Sequence, residues 1–324
     1  MERFITLEES LVDDAGNALP CTEHIKTRHP HVTAQVAVRG NQGIIFTGAL
    51  TSGTNNFGDP NAHKYPDLNG IVAIEPTNDR VIVNRHREGE GCHTALVEAG
   101  ATFKQANQAV REALGPEFRI PIDLTTVESA KAGAVFATGG MGPIRVRPSE
   151  ITRKIELTDG HKLKTLTGDD IEGHEGLIGL TGGITEMEVA IFRRPPYKFG
   201  FSAALADTQQ NSQLWVERIA SALAGLRDFT NLKFEHGKIS SSAGETYVDG
   251  VELVTREDLM LILKRSGSDQ IKGDARRLLA QMDRSGSDHT LYITGHSPQT
   301  FDDLPTEFVD VLMGIDGSPK AAHD

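Results

Sequence analysis

The chain has 324 residues, of which 38% are hydrophobic and 24% charged, the proportions of a globular protein long enough for two domains. Its formal charge of −12 argues against nucleic acid or an anionic membrane as partner, since either would repel it. No apolar run approaches the roughly 20 residues that span a bilayer, and the start, Met1-Glu2-Arg3-Phe4-Ile5, lacks the apolar core and small-residue cleavage site of a secretory signal. Cys21 and Cys92 are the only cysteines, too few and too far apart for a disulfide framework or a zinc site, so a cytoplasmic location is expected.

Residues 1–30 are polar and weakly periodic, and are read as an arm or irregular cover. Val32, Val36 and Val38 before Gly40 suggest a short helix with a glycine stop. Ile44-Ile45-Phe46 signals a buried strand that runs into Thr47-Gly48-Ala49-Leu50-Thr51-Ser52-Gly53. Such a loop can present several N–H and hydroxyl donors to a phosphate, or be a surface turn. Ile71-Val72-Ala73-Ile74 and Val81-Ile82-Val83 read as strands joined by a turn at Thr77-Asn78-Asp79, and Ala95-Leu96-Val97-Glu98-Ala99 as a third. Phe103, Ala106, Val110 and Leu114 form one helical stripe, stopped by Gly115-Pro116. Short strands, a helix and a further glycine-rich segment indicate an α+β domain, and no GxGxxG follows a strand.

Ile151 to Leu157 alternates as a strand, and Asp159-Gly160 signals a type I′ hairpin turn returning at Lys162-Leu163-Lys164. Met187, Val189 and Ile191 alternate along another strand closed by Pro195-Pro196, which marks a domain boundary. Beyond it come a strand at Phe199 to Ala203, a helix from about Ser212, and a strand at Leu232 to Glu235. A capping box at Thr255 to Asp258 opens a helix, Ile271, Ala275, Leu278, Leu279 and Met282 mark a further one, and Leu291 to Thr294 reads as a strand. Arg-Ser-Gly-Ser-Asp occurs at 265–269 and again at 284–288, as helix-ending turns. The expected organisation is an arm at 1–30, a first domain at 31–196, a second at 197–314 and a polar tail at 315–324.

Glycine turns punctuate the first domain: Val97-Glu98-Ala99-Gly100, Pro121-Ile122-Asp123 leading through Thr126 to Ala132-Gly133-Ala134, Gly139-Gly140-Met141-Gly142, and Glu175-Gly176-Leu177-Ile178-Gly179 before Gly182-Gly183-Ile184-Thr185-Glu186. Turns nearly bare of side chains let a flat, phosphate-bearing cofactor lie against the backbone. In order and spacing these segments resemble the PCMH-type FAD-binding family, the vanillyl-alcohol oxidase superfamily that includes FAD-linked glycolate, D-lactate and D-2-hydroxyglutarate dehydrogenases. Thr47 stands where the family has arginine, Leu50 where it has a glycine, and Ala132-Gly133-Ala134 where it has Ile-Gly-Gly.

The resemblance implies an α+β fold: a two-subdomain FAD-binding domain followed by an α/β cap domain, here shortened. It implies FAD held by Thr47, Gly48, Ala49, Leu50, Thr51, Ser52, Pro121, Asp123, Thr126, Ala132, Gly133, Gly139, Gly140, Gly179 and Ile184. Neither loop carries the histidine or cysteine that some members link to FAD, so the cofactor is expected to be non-covalent. The expected activity is an FAD-dependent oxidoreductase that oxidises a small hydroxy acid or alcohol by hydride transfer. The alternative is a flavin-binding electron-transfer subunit that works with a redox partner protein and has no substrate site of its own; the short second domain is read as a fragment, a subunit or a reduced enzyme. The candidate catalytic groups each keep a plain alternative. His174, beside Glu175-Gly176, is a base near the flavin ring or a loop histidine. Arg145, with Arg147 across Val146 on an expected strand, binds a carboxylate or is solvated. His296 and Tyr292 face the substrate or serve structure. His29-x-His31 and Cys92-His93 lack the further ligands a metal needs, and no GxSxG is present.

Overall fold

The computed structural model describes residues 23–47, 71–86, 92–124, 127–142, 144–177, 181–205, 212–265, 269–300, 303–304 and 308–309. The chain divides into two compact units, Met1–Phe192 and Arg193–Asp324.

Two sheets organise the first unit. In one, β1 (Glu23–Thr27) and β2 (Gly43–Phe46) flank β3 (Ile71–Pro76), all parallel. Helix α1 (Pro30–Arg39) makes the crossover between β1 and β2 and buries Ala34 and Ala37 against Val72 and Ile74. The expected arm therefore ends in a strand: residues 23–27 gain their order from pairing with β3, which no local periodicity announces. The helix ends at Gly40 as expected, on the other face, since Val32 and Val36 are exposed and the small alanines meet the sheet.

The second sheet is antiparallel, in the order β4 (Val81–Asn84), β5 (Thr94–Glu98), β9 (Gly183–Ala190), β7 (Thr152–Thr158), β8 (Leu163–Thr167). β3 and β4 thus belong to different sheets, and residues 77–80 carry the chain between them instead of turning a hairpin. Helix α2 (Phe103–Leu114) buries Phe103, Ala106 and Val110. Its first turn is closed by a capping box in which Thr102 and Gln105 bond each other's backbone N–H. A short strand β6 (Phe118–Arg119) follows. Ala132-Gly133 lies inside helix α3 (Ala132–Thr138), capped by Gly139 at φ +62°, so that segment is helix where a turn was expected. The β7–β8 connection is a four-residue loop. Only Gly160 has positive φ (84°), and the Asp159 carboxylate accepts from the N–H groups of His161 and Lys162; a type I′ turn would need two such residues. Helix α4 (Pro148–Ile151) precedes β7, and the two-residue strand β10 (Phe192–Arg193) spans the division between the units in the chain.

In the second unit β15 (His289–Ser297) runs antiparallel between β11 (Tyr197–Leu205) and β14 (Tyr247–Thr255). One face carries Phe199, Phe201, Val248, Leu291 and Ile293, packed with Leu226, Phe229 and Phe308. The helices are α5 (Ser212–Gly225), α6 (Arg227–Thr230), α7 (Arg256–Arg265) and α8 (Asp269–Ser285), and β12 (Leu232–Glu235) pairs β13 (Lys238–Ser241). The pair α7–α8 has its own core of Leu259, Ala275, Leu279 and Met282. The main sheet of this unit, β11-β15-β14, is antiparallel, an α+β build where an α/β layout was expected.

Candidate functional site

Three of the glycine-bearing segments, at 99–100, 132–133 and 183–185, meet in the first unit. Gly100 N–H donates to the Asn78 carbonyl (2.9 Å) and Ala99 N–H to that of Thr185 (3.0 Å). Ala132 N–H bonds the Ala101 carbonyl (2.8 Å) and Gly133 N–H that of Ala99 (3.1 Å). Asn78 Nδ2 closes the ring of contacts on the Thr185 carbonyl at 3.1 Å. Close approach demands glycine here: a Cβ on Gly100 would sit 2.6 Å from the Asn78 oxygen, and one on Gly133 2.9 Å from the Ala99 Cβ. Lys131 locks the same crossing, its ammonium on Glu75 (2.5 Å) and on the Pro76 carbonyl (2.9 Å).

Beside this crossing lies a cavity of about 200 Å³. Arg28, His29 and the start of α1 line one side; Asn78, Glu98, Glu156, Thr185 and Glu186 line another. Register explains the carboxylates: Glu98 opposes Glu186, which opposes Glu156, so three strands place glutamates side by side on one face. Like charges so placed repel, and cations answer them, Arg80 at 3.3 Å from Glu98 and Lys154 at 3.9 Å from Glu186. Thr185 Oγ1 donates to Glu156 Oε1 at 2.8 Å. Burial, then the Glu156 charge, still holds the Glu186 carboxyl above its ordinary range. Asn78 Oδ1 is buried and accepts no hydrogen bond among the described residues. A buried acceptor without a donor costs free energy that a bound donor would recover.

The expected site residues fall into three groups. Ala132, Gly133 and Ile184 belong to the crossing. Thr47 is buried next to it and donates its N–H to Ile74 (2.8 Å). Phe46, just before Thr47, lies against Gly183, where a Cβ would be 2.2 Å from the ring. Asp123 is pressed on Gly142, and Gly139 lies near Gly176, so Asp123, Gly139 and Gly140 lie in the segments around the C-terminus of α3, while Pro121 is buried two residues before Asp123. Gly48, Ala49, Leu50, Thr51, Ser52, Thr126 and Gly179 lie outside the described residues.

The catalytic candidates do not line the cavity. His174 is half-buried in a 3₁₀ turn with Nδ1 2.9 Å from the Asp170 carbonyl. Arg145 is exposed at φ 55°, in no strand, and Arg147 caps α4 and pairs with Glu150 and Glu172. The paired-arginine strand is thus corrected: Val146 is buried, but Pro148 starts a helix two residues on. His296 belongs to the second unit. Asn78 and the glutamate row escaped the sequence reading. Glu98 and Glu186 sat inside quoted motifs, but their alignment depends on strand register. Among the described residues no cluster of His, Cys, Asp and Glu could hold a metal ion, and no helix is long and apolar enough to cross a membrane.

No family model and no curated protein sequence matches the chain. Solved structures do. An alkyldihydroxyacetonephosphate synthase is similar at TM-score 0.67 and 14% identity, over 93% of this chain and 52% of that one. The grass pollen allergen Phl p 4, described as having glucose dehydrogenase activity, is similar at TM-score 0.59 and 13% identity, over 93% of this chain and 51% of its own. The Bermuda grass isoallergen BG60 is similar at TM-score 0.57 and 12% identity, over 92% and 51%. The likeness shows a fold shared with these proteins. The chain spans about half the length of these structures.

Proposed function

We propose that the chain is an FAD-dependent oxidoreductase that binds FAD non-covalently in its first unit and oxidises a small hydroxy acid or alcohol, with residues 197–314 as its substrate domain. The observation that carries this is the crossing of Asn78, Ala99-Gly100, Ala132-Gly133 and Thr185, two of which, Asn78 and Thr185, line the cavity, combined with a fold shared with Phl p 4, a protein described as having glucose dehydrogenase activity.

The residues present fit one end of such a cofactor. A cavity of about 200 Å³ suits a nucleoside and is smaller than the roughly 300–1,000 Å³ of sites for whole drug-sized ligands. Asn78 Oδ1 would accept from an exocyclic amine or a sugar hydroxyl, and Glu98, Glu186 and Glu156 from hydroxyls. A phosphate has no place against that carboxylate row. Arg28 and the N–H groups that open α1 are the cationic side of the cavity. Thr47 leads into residues 48–56, which carry the glycine, threonine and serine donors of a phosphate loop in sequence. When bound, the flavin supplies the hydride acceptor. Residues 47–56 and 121–142 contain no histidine or cysteine, which leaves those segments without a side chain for a covalent flavin link.

The test is an absorbance spectrum of the purified chain between about 300 and 600 nm, repeated on the supernatant after acid precipitation. A flavin spectrum released into the supernatant is expected. Flavin retained in the pellet overturns non-covalent binding, and no flavin after incubation with excess FAD overturns the reading altogether.

A further inference from the structure

The second unit carries a cavity of its own, of about 160 Å³. Arg193, Arg194 and Lys238 bring three cations to it, Glu245 one carboxylate, and Pro195, Pro196 and Ile239 an apolar wall. A hairpin sets its position. Glu235 opposes Lys238, and His236 and Gly237 between them have φ of 50° and 71°, the two positive values that a type I′ turn requires. The turn makes Lys238 the first residue of β13, where its parallel register partner is Arg193. The Arg193 N–H donates to the Gly237 carbonyl at 2.6 Å and holds that register. Residues opposed on neighbouring strands project to the same face of a sheet, so an arginine and a lysine stand side by side next to the turn.

Like charges directly opposite one another destabilise a sheet. The carboxylate on the cavity wall offsets little of this. Glu245 lies 3.8 Å from Lys238 Nζ with the two side chains 58% and 62% exposed, and such a pair contributes little in water. Three cations against one carboxylate leave two positive charges in excess, in a chain whose formal charge is −12. Pro195 and Pro196 add no N–H donor and fix two successive φ angles, and the residue before a proline is held extended. That wall is therefore stiff, and its strong donors are guanidinium groups.

We propose that this cavity binds a small phosphomonoester, its phosphate between Arg193, Arg194 and Lys238 and its carbon part on Pro195, Pro196 and Ile239. A phosphomonoester carries a charge of about −1.5 to −2 at pH 7, which matches the excess, whereas a monocarboxylate would leave a positive charge over. Guanidinium groups take phosphate oxygens in pairs, and a lysine ammonium adds a point charge. The volume is below the roughly 300 Å³ at which sites for drug-sized ligands begin, so the carbon part is short. The proposal goes beyond the flavin reading and shares no residue with the first unit's cavity.

The experiment is calorimetric titration of the full chain at neutral pH with glycerol 3-phosphate, inorganic phosphate, succinate and acetate. Ionic strength is held constant, because salt screens contacts of this kind. Glycerol 3-phosphate should bind more tightly than the other three. Arg193→Gln and Lys238→Gln should each weaken it about 10-fold or more, the worth of a hydrogen bond to a charged group. Glu245→Gln should tighten it, since the competing carboxylate is gone. Without ligand, Arg193→Gln should melt no lower than wild type, because a like-charge contact is lost, so its weaker binding is not a failure to fold. No binding of glycerol 3-phosphate at millimolar concentration overturns the site. Inorganic phosphate bound as tightly as the ester overturns the part given to the apolar wall, and succinate bound as tightly overturns phosphate as the recognised group. Binding that survives both cation variants overturns the assignment to this cavity. None of these readouts involves flavin, so a chain that takes up no FAD but binds the ester keeps this proposal and loses the oxidoreductase reading.

Discussion

Replacing Gly100 by alanine tests whether the motif crossing holds the first unit together. The added Cβ would lie 2.6 Å from the Asn78 oxygen, 2.8 Å from the Pro76 oxygen and 3.0 Å from the Asn78 nitrogen. All three are backbone atoms, so no rotamer change relieves the clash. Gly100 is absent from the positive-φ residues, so the cost is steric and not conformational. Overpacking of this kind costs about 1–3 kcal/mol. Loosening the Gly100 to Asn78 hydrogen bond, 2.9 Å long, adds about 0.5–1.5 kcal/mol. A loss of about 2–4 kcal/mol lowers the midpoint of a unit this size by about 5–15 °C. Differential scanning calorimetry of Gly100→Ala and Gly173→Ala is the assay. Gly173 has nothing within 4 Å of its would-be Cβ, so its alanine variant should stay within about 0.5 kcal/mol of wild type. Because Asn78 lines the cavity, Gly100→Ala should also weaken flavin uptake. Coincident midpoints for the two variants would refute the packing account.

Lys131→Ala takes the buried ammonium from the largely buried Glu75, which keeps an ion pair with the exposed Lys26 at 3.5 Å; urea unfolding should show a loss of about 3 kcal/mol. Glu186 has a raised carboxyl, so its proton binds more tightly in the folded state; the stability this gives is full below the ordinary carboxylate range and is lost as pH rises through the folded value. Glu186→Gln should therefore melt higher than wild type at pH 7–8, with the gap closing toward pH 4 in a thermal-shift series; a gap that widens in acid contradicts the repulsive row. Thr102→Ala removes the capping box of α2 and should cost about 1 kcal/mol by chemical denaturation.

What could be read from the sequence follows locality. Helix α2 was legible residue by residue because its apolar stripe, its stop at Gly115 and its buried face all come from one short stretch. Strand β9 was legible because Met187 and Val189 alternate into the core. Strand β14 was invisible for an equally physical reason. Its bulge at Asp249 places Val248 and Val251 on one face, and a period of two cannot count across it. Strand β1 was taken for an arm because it owes its order to β3, about 50 residues on. The site shows the same division. The glycine motifs can be read as local segments, while Asn78 and the aligned glutamates depend on which strands become neighbours and in what register.

The glycines themselves carry a correction to the usual inference from bare turns to a bound ligand. Gly100, Gly133, Gly142 and Gly183 have no room for a Cβ, and what fills the space is this chain: the Asn78 and Pro76 backbone, Ala99, Asp123 and Phe46. These residues are glycine because strands, a helix and a connection cross at contact distance. A cofactor is not needed to explain them. The case for one rests on what the crossing leaves beside it, a cavity with an Asn78 Oδ1 that has no donor among the described residues and three aligned carboxylates. Packing alone would not select the glutamate row, since alternating charges across β5, β9 and β7 would be more stable. Residues kept at a cost to stability mark the part of the fold where binding is the compensating gain. Glu186→Gln separates the two contributions: it should raise the melting temperature of the protein without ligand at neutral pH and lower its affinity for FAD. A variant that gains stability and binds FAD as wild type does would assign the glutamate row no part in recognition.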